Sequence, residues 1–277
     1  GKSLLASAIA KYVFYVDGGY GTRIYCLAPK LEQADIIYGN IWQMITLDPE
    51  WQGLKDAIQQ SKDQHNRQIM GDDMLARHRQ TDLQIRGTNS TVKKIAFSAK
   101  KSDGFNPSLT ICDEIASWEG DKGLKQYEVM KSAMGARDMG DAPAILLSCS
   151  TSGYVNDSIF DELVRRSTRF LMGDSKESRL LPFLYMIDDI QKWNDINELQ
   201  KSNPNLGVSI SVDYLLDEIA VAEGSLSKRA EFITKYCNLK QNSSQAWLST
   251  ETIDGCCGKP VNLEDFQGCY CVGGIDL

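Results

Sequence analysis

Long hydrophobic runs, an excess of basic residues and repeated or low-complexity segments are all missing from this sequence. The longest apolar stretch lies around Ala144 to Leu147 and is far too short to cross a bilayer. Lys and Arg number 30 against 37 Asp and Glu, a net charge of −7, which excludes a polycationic coat for nucleic acid. With 42% hydrophobic and 24% charged residues over 277 positions, the chain has the composition of an ordinary globular protein of about two domains.

Metal-binding spacings are also missing, although the chain has 8 cysteines and 2 histidines. The later cysteines are adjacent or one residue apart, whereas a zinc knuckle separates its pairs by about two to four residues: Cys256, Cys257, Cys269 and Cys271. Others lie in apolar, strand-like segments, where a reduced thiol behaves as a small hydrophobe: Cys26, Cys112 and Cys149. We therefore expect the protein to work in a reducing compartment. The two histidines, His65 and His78, lie in a polar, helix-prone stretch, and we expect both to be solvated.

Short apolar strands alternate with amphipathic helices in the first part of the chain. Strand patterns occupy 23–28, 109–112 and 144–150, and residues 83–86 and 93–98 predict a hairpin. Helical periodicity begins within the first few residues, recurs over 32–45, and resumes after Ser158, a predicted N-cap. This alternation favours an α/β fold with a doubly wound parallel sheet.

The pattern changes after about residue 175 to helices joined by polar turns. Apolar spacing predicts one helix from Leu215 to Ala222 and another that contains Phe232, Tyr236 and Leu239. We expect a core domain over 1–175, a helical lid subdomain over 176–240, a linker over 241–268 and the first strand of another domain over 269–277. Since both ends of the sequence look cut, we expect an internal fragment in which neither activity inferred below survives alone.

The first three residues, Gly1, Lys2 and Ser3, open the first predicted helix. In a phosphate-binding loop, backbone amides and a helix N-terminus hold phosphate oxygens, a lysine reaches the β- and γ-phosphates, and a hydroxyl ligates Mg²⁺. The triplet alone is also compatible with an ordinary helix start that carries a surface lysine.

Two consecutive carboxylates, Asp113 and Glu114, end the apolar segment 109–112. A strand that ends this way places both acids at the sheet edge beside a phosphate loop, where Asp113 can hold hydrated Mg²⁺ and Glu114 can orient and deprotonate a water. An acidic turn without function is the alternative. The next apolar strand ends in Ser150 and Thr151, whose hydroxyls we expect near the γ-phosphate, unless they form only a polar turn before the capped helix.

Several segments closely resemble the large terminase subunit of tailed bacteriophages, in the order in which that family has them. They are residues 102–114 (SDGFNPSLTICDE), 150–154 (STSGY), 201–207 (KSNPNLG) and 231–238 (EFITKYCN). The segment that leads into Asp113 and Glu114 is much more specific than the Gly-Lys-Ser triplet. Residues 273–277 (GGIDL) also look like the opening strand of the family's RNase H-like nuclease.

The resemblance implies a P-loop NTPase of the ASCE type that uses ATP and Mg²⁺ to pump double-stranded DNA into a procapsid. It implies Gly1, Lys2 and Ser3 as the nucleotide-binding loop, Asp113 and Ser3 as Mg²⁺ ligands, Glu114 as the catalytic base, and Ser150 and Thr151 as the coupling motif. Asp276 would be the first metal ligand of a nuclease that uses Mg²⁺ or Mn²⁺. The implied partners are DNA, a small terminase subunit, the portal protein and further copies in a ring, in the host cytoplasm without a membrane.

Two other functions remain open from the residues alone. A helicase would share the nucleotide motifs, although residues 180–268 offer no second phosphate-binding fold, and a non-catalytic capsid or portal adaptor would need no paired carboxylates that repel each other. Basic groups that could contact DNA, or supply an arginine finger, are more simply explained as solvated surface charge: Lys93, Lys94, Lys100, Lys101, Arg165, Arg166, Arg169, Lys228 and Arg229.

Overall fold

The computed structural model describes residues 1–17, 19–53, 55–56, 75–79, 81–96, 104–118, 120–137, 144–154, 158–241, 255 and 267–268. The helices are α1 (Lys2–Tyr12), α2 (Leu31–Thr46), α3 (Gly120–Ala133), α4 (Ile159–Leu171), α5 (Ile196–Ser202), α6 (Val212–Glu223) and α7 (Leu226–Lys235). The strands are β1 (Arg23–Ala28), β2 (Arg77–His78), β3 (Asp82–Ile85), β4 (Ser90–Ala96), β5 (Leu109–Asp113) and β6 (Ile145–Cys149).

The six strands form one sheet in the order β2-β3-β4-β1-β5-β6. Strands β4, β1, β5 and β6 run parallel, and the predicted hairpin forms an antiparallel edge in which β3 pairs with β4. Strand β5 lies beside β6, with Asp113 opposite Cys149. The carboxyl ends of these two strands therefore meet, as the sequence predicts.

Helices cover both faces of the sheet, and this confirms the doubly wound prediction. One buried cluster joins α1 and α2 to the sheet and includes Ala6, Ile37, Cys26 and Ile111. A second cluster on the other face includes Tyr25, Cys112, Trp118 and Ile159. Strands β1 and β5 are buried almost throughout because apolar side chains meet helices on both sides.

Residues 187–239 contain a third buried cluster, built from α5, α6, α7 and the turns between them. Leu199, Leu215 and Cys237 are fully buried in it. The predicted helix around Phe232 is present as α7, but it ends at Lys235, so Tyr236 and Leu239 lie beyond it. The domain boundaries given above stay a prediction, and residues 269–277 lie outside the described part of the chain.

The two predicted surface histidines have different outcomes. His65 lies outside the described residues, and His78 is exposed but belongs to strand β2 rather than to a helix. Its ring contacts Tyr38 and Trp42, at centroid distances of 5.6 and 5.3 Å. Pairing of β2 with β3 in a short antiparallel hairpin overrides the helical tendency of the polar stretch around it.

No helix among the described residues has the length and apolar character that a membrane span requires. Cys26 and Cys112 are free and buried, and Cys149 is free and half-buried, as their apolar surroundings in the sequence predict.

Candidate functional site

The site lies where helix α1 begins, facing the carboxyl ends of β5 and β6. Gly1 is the N-cap of α1, and its carbonyl oxygen accepts a hydrogen bond from the Leu5 N–H at 3.1 Å. Lys2 is the first helical residue and its side chain is 41% exposed. A helix N-terminus carries unpaired N–H groups and a partial positive charge, so this end of α1 attracts an anion.

Asp113 joins this helix end to the sheet. Its Oδ2 accepts a hydrogen bond from the Ser3 hydroxyl at 3.2 Å, across 110 residues of sequence. Within the described part of the chain, the buried Oδ1 has no hydrogen-bond partner. Burial, and secondarily the charge of Glu114, raise the pKa of Asp113, while the Ser3 hydroxyl and Lys2 oppose that shift. A buried carboxylate oxygen without a donor, beside a hydroxyl, suits a hard divalent cation.

Cys149 lies opposite Asp113 in the pairing of β5 with β6. Burial, followed by the charge of Asp113, raises the pKa of the Cys149 thiol to about 11. The thiol is therefore neutral at physiological pH and is not an anionic ligand for a cation at this corner of the sheet.

Glu114 follows β5 directly and has a left-handed backbone conformation, with φ 46° and ψ 49°. This conformation turns its carboxylate toward both neighbouring elements. Oε1 lies 3.8 Å from the Lys2 ammonium, and Oε2 accepts a hydrogen bond from the Thr151 hydroxyl at 3.3 Å. The side chain is 44% exposed, so the carboxylate can also contact a solvent molecule or a ligand.

Ser150 points to the turn that follows Glu114. Its Oγ accepts a hydrogen bond from the Ala116 N–H at 3.0 Å and donates one to the Thr151 carbonyl oxygen at 2.7 Å. The two hydroxyls at the end of β6 therefore have different hydrogen-bond partners. Thr151 contacts the Glu114 carboxylate, and Ser150 contacts the backbone beyond it.

The structure brings together the residues that the sequence singled out at this end of the sheet, which are Gly1, Lys2, Ser3, Asp113, Glu114, Ser150 and Thr151. Asp276 lies outside the described residues. Sequence reasoning missed Trp118, whose indole N–H donates to the Asp113 carbonyl oxygen at 3.0 Å. No spacing rule singles out a tryptophan five positions after an aspartate, and only the tertiary structure reveals the contact.

Some basic residues considered for DNA or nucleotide contact are already paired. Arg166 makes a two-point contact with Glu177, at 3.3 and 2.7 Å, and this pairing raises the pKa of Arg166. Lys94 binds Asp35 at 2.6 Å. Each of these two side chains is therefore held by an acidic neighbour in this structure.

Two family models match this chain. The family model of the terminase large subunit ATPase domain matches residues 1–169. The model of the terminase large subunit endonuclease domain matches residues 176–277, a range that includes the predicted lid.

Two individual proteins also match this chain. Protein YmfN of Escherichia coli (strain K12) is 27% identical over 178 residues, which are 64% of this chain and 38% of that protein. The crystal structure of the HK97 bacteriophage large terminase matches with a TM-score of 0.66 at 17% identity, a likeness of fold alone, and covers 87% of this chain and 44% of that one. The chain thus spans less than half the length of these two relatives. Since the ATPase-domain model matches more than half of its residues, the chain belongs to the terminase large subunit family.

Proposed function

We propose that this chain hydrolyses ATP as the motor part of a protein that moves double-stranded DNA into a procapsid. The observation that carries the proposal is the meeting of Lys2, Asp113 and Glu114 at one edge of the sheet, in a chain whose ATPase-domain family is known. A cation, a buried acid with a free oxygen and an exposed acid are the groups that phosphoryl transfer to water requires.

The start of α1 would bind the nucleotide phosphates. Gly1 and the first N–H groups of the helix supply hydrogen-bond donors, and Lys2 supplies a charge that reaches the terminal phosphates. Ser3 and Asp113 would hold Mg²⁺, and their mutual hydrogen bond and the free Oδ1 of Asp113 support this assignment. When bound, Mg²⁺ neutralises charge on the phosphates.

Glu114 would act as the general base. Its half-exposed carboxylate can accept a proton from water, whereas the buried Asp113 cannot reach solvent as readily. Ser150 and Thr151 would couple hydrolysis to movement, because they connect the turn of Glu114 to the end of β6. A change in the charge near Glu114 would thereby reach helix α4, which follows β6 in the chain.

The second activity would be metal-dependent cleavage of concatemeric DNA. The endonuclease-domain match over residues 176–277 supports it, and Asp276 would be the first ligand for Mg²⁺ or Mn²⁺. The family also supports the expected partners, which are double-stranded DNA, a small terminase subunit, the portal protein and further copies of the chain in a ring. We place the protein in the host cytoplasm, where packaging would take place.

Glu114→Gln in the full-length protein tests the hydrolytic site. We expect ATP binding to persist while turnover falls at least about a hundredfold, because a positioned base contributes roughly that factor. Glu128→Gln is the matched control, since Glu128 is an exposed residue on α3. Unchanged turnover in Glu114→Gln removes this residue from the mechanism.

Duplex DNA assays separate the alternative functions. A packaging motor translocates along duplex DNA without unwinding it, a helicase unwinds it, and an adaptor does neither.

Asp276→Ala should abolish cleavage and leave ATP turnover intact. Persistent cleavage that depends on Mg²⁺ or Mn²⁺ would show that another residue is the first ligand.

A further inference from the structure

The backbone of Glu114 has a left-handed conformation. A left-handed φ of 46° is unfavourable for a residue with a Cβ, and it persists only where the surroundings enforce it. Such positions concentrate at functional sites. The contacts that enforce the left-handed conformation of Glu114 must therefore act on the backbone before and after this residue.

The turn after Glu114 folds back on the residue before it. The Ser117 N–H donates to the Glu114 carbonyl oxygen at 2.8 Å, and the Trp118 N–H donates to that of Ile115 at 3.1 Å. The Trp118 side chain then closes the loop, because its Nε1 donates to the Asp113 carbonyl oxygen at 3.0 Å. The indole thus joins the end of the turn to the residue that precedes Glu114.

Trp118 is itself held rigidly. Its side chain is among the largest fully buried ones, at 1% exposure, and it packs in the cluster beneath α3 and α4. Helix α3 approaches it so closely that a Cβ on Gly123 would lie 2.9 Å from the Trp118 Cβ. The indole N–H therefore has little freedom to leave the Asp113 carbonyl.

The other side of the turn is held by the segment after β6. The Ser150 Oγ accepts from the Ala116 N–H, and Gly153 passes so near that a Cβ there would lie 3.1 Å from both the Cβ and the carbonyl oxygen of Ala116. The turn is thus held from two sides, by the buried indole of Trp118 at its own end and by the segment that follows β6.

We propose that Trp118 and Ser150 are positioning residues for Glu114, which hold its backbone left-handed so that its carboxylate faces Lys2 and Thr151. The inference deepens the proposed ATP hydrolysis and depends on it for its kinetic test. The hydrogen bonds that the two side chains make with this turn are to backbone atoms, the Asp113 carbonyl oxygen and the Ala116 N–H, so each acts on Glu114 through the backbone. Loss of either should misplace the base, which impairs turnover much more than nucleotide binding.

The test is Trp118→Phe in the full-length protein, with Ser150→Ala as a second variant in case the first does not fold. We expect kcat to fall about 10- to 100-fold, the usual effect of a misplaced catalytic group. The KM for ATP should stay within about twofold, because the start of α1 is untouched. Trp193→Phe is the matched control, since Trp193 packs against Phe232 in the third cluster.

A double-mutant cycle separates positioning from general destabilisation. In a Glu114→Gln background, neither substitution should lower the residual turnover further, because the base that they position is already gone. An equal fall in both backgrounds, or an unchanged kcat in the single variants, would overturn the proposal.

A crystal structure of Trp118→Phe distinguishes failure of this inference from failure of the proposed function. We expect the φ of Glu114 to leave the positive range or its carboxylate to turn away from Thr151. If the unsubstituted protein hydrolyses no ATP, the proposed function fails, yet the conformation of Glu114 in the variant still decides the positioning role. An unchanged Glu114 in that structure overturns it.

Discussion

Gly123→Ala should destabilise the protein, although alanine is normally better than glycine inside a helix. Gly123 lies within α3, where the exchange alone would stabilise by about 1 kcal/mol. Here the new Cβ would lie 2.9 Å from the Trp118 Cβ and 3.5 Å from its backbone carbonyl carbon. None of these atoms is the end of a flexible side chain, so the helix or the turn must move.

The two effects can be weighed against each other. Overpacking of a close-packed core costs typically about 1–3 kcal/mol, which exceeds the gain in helix propensity and leaves a net loss of about 1 kcal/mol. Gly39→Ala in α2 is the matched control, because a Cβ there meets nothing within 4 Å. It should gain up to about 1 kcal/mol.

Scanning calorimetry of the two variants measures the difference. A change of 1 kcal/mol shifts Tm by about 2–4 °C in a domain of this size, so the variants should differ by about 4–8 °C, with Gly123→Ala below the unsubstituted protein. ATP turnover should also fall in Gly123→Ala alone if the turn, and Trp118 with it, is the element that moves. A Gly123→Ala protein as stable as Gly39→Ala would refute the close approach of α3 to this turn.

Three further predictions concern separate parts of the molecule. Ser3→Ala should raise the KM for Mg²⁺-ATP about tenfold or more in steady-state assays, because it removes the hydroxyl that is hydrogen-bonded to Asp113. An unchanged KM would exclude Ser3 as a Mg²⁺ ligand. Phe232→Ala, in the third cluster, should lower the free energy of unfolding by about 3–5 kcal/mol, which calorimetry would show as a lower transition temperature. A loss below about 1 kcal/mol would contradict the burial of Phe232 in that cluster. Lys240→Ala should lower the free energy of unfolding by about 1 kcal/mol at most in denaturant unfolding, since both partners of its 2.6 Å ion pair with Asp161 are partly exposed to solvent. The loss should shrink at high salt, and a loss that does not depend on salt would point to packing instead.

Local features of the fold were predictable because short-range chemistry determines them. The predicted bounds of β1 agree with the structure, and Ser158 caps α4 in a capping box with Asp161. The adjacency of β5 and β6 was expected from the strand order of P-loop ATPases with a catalytic glutamate, and the structure confirms it. The end of α7 was predicted less well, because apolar side chains beyond Lys235 pack into the cluster without continuing the helix.

The amino-acid sequence by itself determined the chemistry of the site, since residue types and their order already name a lysine and a hydroxyl at a helix start and two acids at a strand end. Only the tertiary structure decided how these side chains are oriented relative to one another. The left-handed turn at Glu114 and the different contacts of Ser150 and Thr151 depend on packing between segments far apart in the chain. Such contacts leave no local periodicity or propensity in the sequence, so they emerge only when α3, β5 and β6 come together.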